Sequence, residues 1–261
     1  MAIITFTSDF GTRDHYVAAV KAKIFNYNAN IQVIDISHNV DHYNVAHGAF
    51  ILNSVFRDFP KGTVHLVAIN SLNENTDKYI AARMEDHFFV GTDNGFFSLL
   101  SEKPTIAVEI LFDKNLNQTF PEKNIFAFAA VSLASGKNLY DLGPTINSAT
   151  LKRMVGRKLK SNRNSIEGNV LHTDHYGNAI TNISKKLFDE TAQGRASIIS
   201  FGRENVETMH AIYHQAENGD CVALFNDLGL LEIAIKNGNA SQLLGLQYDS
   251  PVRVNFAPEL V

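Results

Sequence analysis

The chain has 261 residues, of which 45% are hydrophobic and 19% charged, a balance that excludes fibrous and intrinsically disordered classes. Its 23 Lys and Arg against 27 Asp and Glu give a net charge of −4, so no overall field gathers a polyanion and no nucleic-acid partner is expected. No apolar run approaches the roughly 20 residues of a membrane-spanning helix, the start Met1 to Phe6 lacks the pattern of a secretion signal, and the lone Cys221 cannot form an internal disulfide; a cytoplasmic protein without membrane association is the expectation.

Ile3 to Phe6 is a β-branched and aromatic run that reads as a strand. It ends at Thr7-Ser8-Asp9-Phe10-Gly11, after which Tyr16, Val17, Val20, Ile24 and Phe25 recur at helical spacing. Ile31 to Ile36 repeats the strand signature, a second helix is predicted from Asn44 to Phe56, and Gly62 to Ile69 reads as a third strand. Strand alternating with helix predicts a mainly parallel sheet covered on both faces. Further strands are expected at Tyr79 to Met84, Phe88 to Gly91 and Ile106 to Leu111, with a helix from Ile125 to Ala134 that stops at Gly136. The first domain is thus predicted as α/β over residues 1–150. Residues 151–164 carry Lys152, Arg153, Arg157, Lys158, Lys160 and Arg163 and read as a solvated basic linker. From 165 to 261 the texture changes to short strands, such as Ile166 to Leu171 and Val252 to Phe256, separated by Gly and Asn turns. That pattern predicts a small β-sandwich or barrel.

Three polar clusters interrupt these elements. Ser8-Asp9-Phe10-Gly11-Thr12-Arg13-Asp14 follows the first strand, at the sheet edge where ligands collect, and a carboxylate there can accept both hydroxyls of a ribose. Equally, Asp14 could cap the helix and Asp9 satisfy the turn. Thr92-Asp93-Asn94-Gly95 reads either as an Asx turn or as a loop presenting polar atoms. In the stretch His172 to Ile183, Tyr176 could stack on a base while Asn178 reads its edge, or the whole could be a polar β-turn. His38, His42 and His47 sit close in sequence, but their spacing fixes no common face, and no HExxH pair or Cys/His grouping accompanies them, so no metal is expected. No GxSxG, GxxxxGK[ST] or GxGxxG occurs, which argues against a hydrolase triad, a nucleotide triphosphatase and a dinucleotide cofactor. Cys221, in an apolar segment without an activating base, reads as a core residue.

Taken together, the clusters resemble the family of S-adenosyl-L-methionine hydroxide adenosyltransferases and their fluorinase and chlorinase relatives. The resemblance runs through Thr7-Ser8-Asp9-Phe10-Gly11 with Asp14, Tyr16-Val17-Ala18 and Lys21; Phe59-Pro60-Lys61-Gly62-Thr63-Val64; Asp93-Asn94-Gly95; Asp174 with Tyr176-Gly177-Asn178 and Thr181-Asn182-Ile183; and Asn226 with Gly229 and Leu231-Glu232-Ile233-Ala234. It implies an α/β N-terminal domain followed by a C-terminal β-barrel, in a homotrimer whose ligand lies between one subunit's first domain and its neighbour's second. The implied ligand is S-adenosylmethionine or adenosine, with no further cofactor. By the same resemblance Asp9 holds the ribose hydroxyls, Asp14 faces the methionine end, Tyr43 lies against the ribose, Asp174 contacts the amino-acid part, Tyr176 lines the adenine pocket and Asn178 hydrogen-bonds the base.

The departures bear on chemistry. Hydroxide-transferring members carry Val-Asp-Pro-Gly-Val-Gly followed by arginine, and Phe-His-Gly-Arg-Asp, whose aspartate, arginine and histidine activate water. The matching places here read Ile69-Asn70-Ser71-Leu72-Asn73, then Asp77-Lys78, then Phe120-Pro121-Glu122-Lys123-Asn124. The fluorinase serine that meets halide matches Glu122, whose carboxylate would repel an anion unless protonated, which argues against halogenation. Two readings stay open: hydrolysis of S-adenosylmethionine to adenosine and methionine with Asn70 and Glu122 orienting water, and capture of an adenosine-containing ligand without turnover.

Overall fold

The computed structural model describes residues 2–72, 78–101, 106–156 and 158–258. Asn73, Asp77 and Arg157, singled out above, lie outside the described residues. The chain divides into two compact units, Met1–Gly156 and Arg157–Val261.

The first unit is built from β1 (Ile3–Ser8), α1 (Tyr16–Tyr27), β2 (Gln32–Ser37), α2 (Val45–Asn53), β3 (Val64–Ala68), β4 (Tyr79–Met84), β5 (His87–Thr92), α3 (Phe96–Leu100) and β6 (Ile106–Glu109). A π-helical turn, Glu122–Phe126, then runs straight into α4 (Ala127–Ala134), and β7 (Thr145–Ile146) closes the unit. The strands form one sheet in the order β2-β1-β3-β5-β4-β6-β7. Its first four strands are parallel, the expected core, while β4, β6 and β7 pair antiparallel on one side. All five residues of β3 and the last five of β1 are buried, the near-continuous apolar signature of strands covered on both faces. Ile4, Phe6, Val20 and Ile24 pack with the residues of α4 on one face, and Leu52, Phe56, Phe89 and Phe96 pack on the other. Because β1 has β2 on one flank and β3 on the other, the chain order reverses beside β1. The carboxyl ends of β1 and β3 therefore bound a crevice of the kind in which open α/β sheets place ligands.

The second unit contains β8 (Lys160–Asn162), β9 (Ser165–Thr173), β10 (Ala179–Ser184), α5 (Lys185–Ala192), β11 (Ser197–Phe201), β12 (Glu204–Val206), β13 (Cys221–Phe225), β14 (Leu230–Ile235), α6 (Ala240–Leu244) and β15 (Pro251–Phe256). Residues Lys160–Asn162 of the basic segment thus pair with β9 as a strand. The antiparallel path β12-β11-β15-β9-β10-β14-β13 is brought nearly to closure by a bridge between Met209 and Ala223, where the His210 amide donates to the Ala223 carbonyl at 2.8 Å. In β15 the alternating residues Val252, Val254 and Phe256 point inward, the period-2 pattern of a sheet with one solvated face. Ile166, Val170, Ile183, Ile199, Leu231 and Ile233 fill the interior with them. Cys221 packs against this core, where burial pushes its thiol up to about 11.

Candidate functional site

Asp9 is the first residue after β1, and Asn70 lies two residues beyond β3. Both the Tyr43 amide, at 3.0 Å, and the Asn70 amide, at 3.1 Å, donate to the same oxygen of Asp9, Oδ2. Tyr43 and Asn70 each hold a left-handed backbone, with φ of 62° and 46°. Such a conformation costs a non-glycine residue on the order of 1–3 kcal/mol and persists only where its surroundings fix it. Here the fixing group is a charged acceptor shared by two loops, so Asp9 organises the crevice as well as lining it. Its other oxygen, Oδ1, takes no hydrogen bond from the described residues.

The Asn70 loop is gripped a second time. Asn94 donates through Nδ2 to the carbonyls of Ile69, at 2.8 Å, and Asn70, at 3.3 Å, while its Oδ1 accepts from the Phe96 amide in an Asx turn. Beside it, Asp93 is buried and accepts from the Lys152 amide at 2.9 Å. Gly95 has φ 96°, and a Cβ there would lie 2.5 Å from Met154 Cγ, so only glycine fits the turn. The sequence left this cluster open between a turn and a ligand-presenting loop. In the structure the turn is a buttress for Asn70.

A cavity of about 220 Å³ is lined by Asp9, Phe10, Tyr43, Asn70 and Glu122, with Ser71, His42 and Leu72 completing the wall. Glu122 opens the π-helical turn, where the Ala127 amide bonds the Glu122 carbonyl across five residues; turns of this kind re-aim side chains and recur at functional sites. The approach to this turn is fixed by Phe120, whose ring packs edge-on against Phe10 and Tyr16. Glu122 is only 4% exposed. Burial pushes its carboxyl above the ordinary range and the charge of Asp9 pushes the same way, against a hydrogen bond from Ser71. Tyr79 of β4 is buried close enough to feel Glu122, and its hydroxyl is raised by burial and by that carboxylate. Asp14 lies apart from these groups, exposed in the turn before α1, and the helix cap is His15, without a side-chain bond.

Beneath the crevice, Ser8 Oγ lies 2.7 Å from His38 Nδ1, His38 Nε2 lies 3.1 Å from Asp35, and Asp35 pairs with Lys21 at 2.5 Å. Burial lowers the proton affinity of His38, with Asp35 pulling the other way. This chain ties the end of β1 to the end of β2, as does the Gly11 amide bond to the His38 carbonyl, 2.7 Å. The three neighbouring histidines thus part company: His38 faces Ser8, His47 accepts the Asp41 amide at 3.1 Å, and His42 lines the cavity. Among the described residues no three His, Cys, Asp or Glu side chains are arranged to hold a metal ion.

The second unit carries a wider cavity, about 750 Å³, lined by Asp174, Tyr176, Asn178, Tyr213, Lys236 and Asn239 among others. The β9–β10 turn explains the first three. Asp174 accepts from Asn178 twice, backbone amide to Oδ1 at 2.8 Å and Nδ2 to Oδ2 at 3.0 Å. A carboxylate only accepts, so the Asn178 amide must turn its NH₂ toward Asp174, which leaves its Oδ1 as the unspent group. Gly177, φ 84°, lets the turn press on Asn239, whose side chain would meet a Cβ at 2.2 Å. Tyr176 is 75% exposed. Tyr213 donates to the buried Glu232, which also accepts from Asn226 Nδ2 at 3.0 Å, and burial together with Glu232 raises the phenol. Sequence reading missed Ser71, His42 and Tyr213. Only the Glu232 and Asn226 signposts hinted at the last.

Comparison with known proteins decides the family. Residues 4–143 match the S-adenosylmethionine hydroxide adenosyltransferase N-terminal domain and residues 168–253 its C-terminal domain. The chain belongs to the S-adenosylmethionine hydroxide adenosyltransferase family. It is 30% identical to the (R)-S-adenosyl-L-methionine hydrolase of Methanocaldococcus jannaschii, covering 97% of this chain and 96% of that one, and 29% identical to the hydrolase of Thermus thermophilus, covering 97% and 100%. A fluorinase of Actinopolyspora mzabensis is more distant at 22% identity, over 97% and 96%. Among solved structures, a conserved Thermotoga maritima protein superposes with a TM-score of 0.87 at 28% identity, covering 97% of this chain and 99% of that one. Among the described residues, no helix is long and apolar enough to cross a membrane.

Proposed function

We propose that the protein hydrolyses S-adenosylmethionine to adenosine and methionine. The observation that carries this reading is the convergence of Asp9, Tyr43, Asn70 and Glu122 on one small cavity at the sheet's reversal point, in a chain whose hydrolase relatives match it end to end. Water attacks the ribose C5′, the C5′–S bond breaks with its electron pair staying on sulfur, and the water proton passes to Glu122. The leaving group is a neutral thioether, so alignment and exclusion of bulk water supply much of the rate. In this reading Asp9 Oδ1 accepts the ribose hydroxyls, Tyr43 lies against the ribose, Asn70 orients the water and Asp14 faces the methionine end. In the second unit, Asp174 meets the amino-acid part and also holds Asn178, whose free carbonyl suits the amino group of adenine, with Tyr176 covering the base.

The second reading, an adenosine-ligand binder without turnover, is favoured by Asn70 and Pro121 standing where hydroxide-transferring members have the water-activating aspartate and histidine. One incubation with S-adenosylmethionine in ¹⁸O-water separates the two. Hydrolysis at C5′ yields methionine and adenosine bearing one heavy oxygen, whereas tight binding with no product leaves only the binder.

A further inference from the structure

Among the described residues, the lining of the first cavity has two carboxylates and no lysine or arginine. Asp9 reaches it from the end of β1 and Glu122 from the π-helical turn. The other titratable groups facing Glu122 from the packed elements are Tyr79 of β4, and His42 and Tyr43 of the loop after β2; Lys78 pairs instead with Glu109 at 3.6 Å. Ser71 offers Glu122 a neutral hydroxyl. A nearly fully buried carboxylate beside a second one is costly unless it is protonated or a positive charge is brought to it.

We infer that this cavity selects a positively charged adenosyl ligand over its neutral thioether counterpart, and that Glu122 releases a proton as the cation enters. The inference rests on the reading that the cavity receives the sulfonium end of S-adenosylmethionine. Burial and the charge of Asp9 both favour the protonated form of the Glu122 carboxyl, whereas a cation within about 4–6 Å favours the ionised form. The proton balance then closes. One proton leaves on binding, Glu122 takes one from the attacking water, and the products, both without a sulfonium charge, find Glu122 protonated as it began. The base is thereby unmasked by the substrate that needs it, and the charge that held the ligand vanishes with the C5′–S bond.

The test uses two unreactive ligands, sinefungin, whose side-chain amine stands where the sulfonium would be, and the thioether S-adenosylhomocysteine. Each is titrated calorimetrically in buffers of different ionisation heat between about pH 5.5 and 7.5. Sinefungin binding should release protons and tighten as pH rises, by up to about tenfold per pH unit, while thioether binding releases none. Glu122→Gln should abolish the release and the slope, with circular dichroism showing that the variant is folded. Sinefungin binding without proton release overturns the inference and leaves the functional reading standing. Release that persists in Glu122→Gln assigns the proton to another group and overturns it too. Failure of every adenosyl ligand to bind overturns the functional reading and the inference with it.

Discussion

The two cavities solve different problems with different materials. The one at the end of β1 and β3 is small, doubly acidic and held by backbone strain, with Asp9 drawing two left-handed residues onto one oxygen. The one in the barrel is more than three times larger, and in its turn Asp174 and Asn178 bind each other before any ligand arrives, which leaves Asn178 Oδ1 unspent. Under the proposed function, the unbalanced carboxylate of the first site would respond to charge, and the neutral amide locked beside an exposed ring in the second would recognise a flat base.

That contrast can be broken. Asp9→Ala removes a charged acceptor and the common anchor of two strained loops, and should weaken binding of an adenosine-containing ligand by about 1.5 to 3 kcal/mol; calorimetry showing wild-type affinity would remove Asp9 from the site. The sheet under the first cavity should also carry an acid sensitivity. His65 bonds Thr5 Oγ1 at 2.7 Å and faces His87 at 3.2 Å, and burial, with the His87 charge, holds it down to about 3. An unfolded histidine near 6.5 binds protons that the folded one refuses, so this stability is complete above about pH 6.5 and is lost progressively toward pH 3. Wild type should lose about 2 kcal/mol more than His65→Gln between neutral pH and about pH 5, read by urea unfolding; parallel losses would contradict the assignment. Asn178→Ala should be milder, about 0.5 to 1.5 kcal/mol of affinity, as befits one neutral hydrogen bond. An effect equal to that of Asp9→Ala would erase the contrast between the cavities. Light scattering should show a homotrimer, and a monomer would count against the assembly implied by the family.

Legibility in the sequence followed the length and period of each element. The buried runs of β1 and β3 and the alternation of β15 are long enough to declare themselves. The five residues of α3 and the three of β12 are too short to show any period. Helix α5 was hidden because its polar face follows the polar hairpin directly. The helix expected from Ile125 begins at Glu122, since a π-helical turn breaks the 3.6-residue rhythm there. The same logic governs the site. Asp9 and Asn178 sit in motifs that name themselves, whereas Ser71 and Tyr213 reach their cavities only through sheet order and barrel closure, which no local window contains.

Single-turnover hydrolysis of S-adenosylmethionine, wild type against Glu122→Gln, tests most directly the proposed role of Glu122 as the base. With ligand saturating both proteins, the substitution should slow adenosine formation by roughly 10²-fold or more. Equal rates would mean that alignment and desolvation act without a base, and would contradict the role given to Glu122.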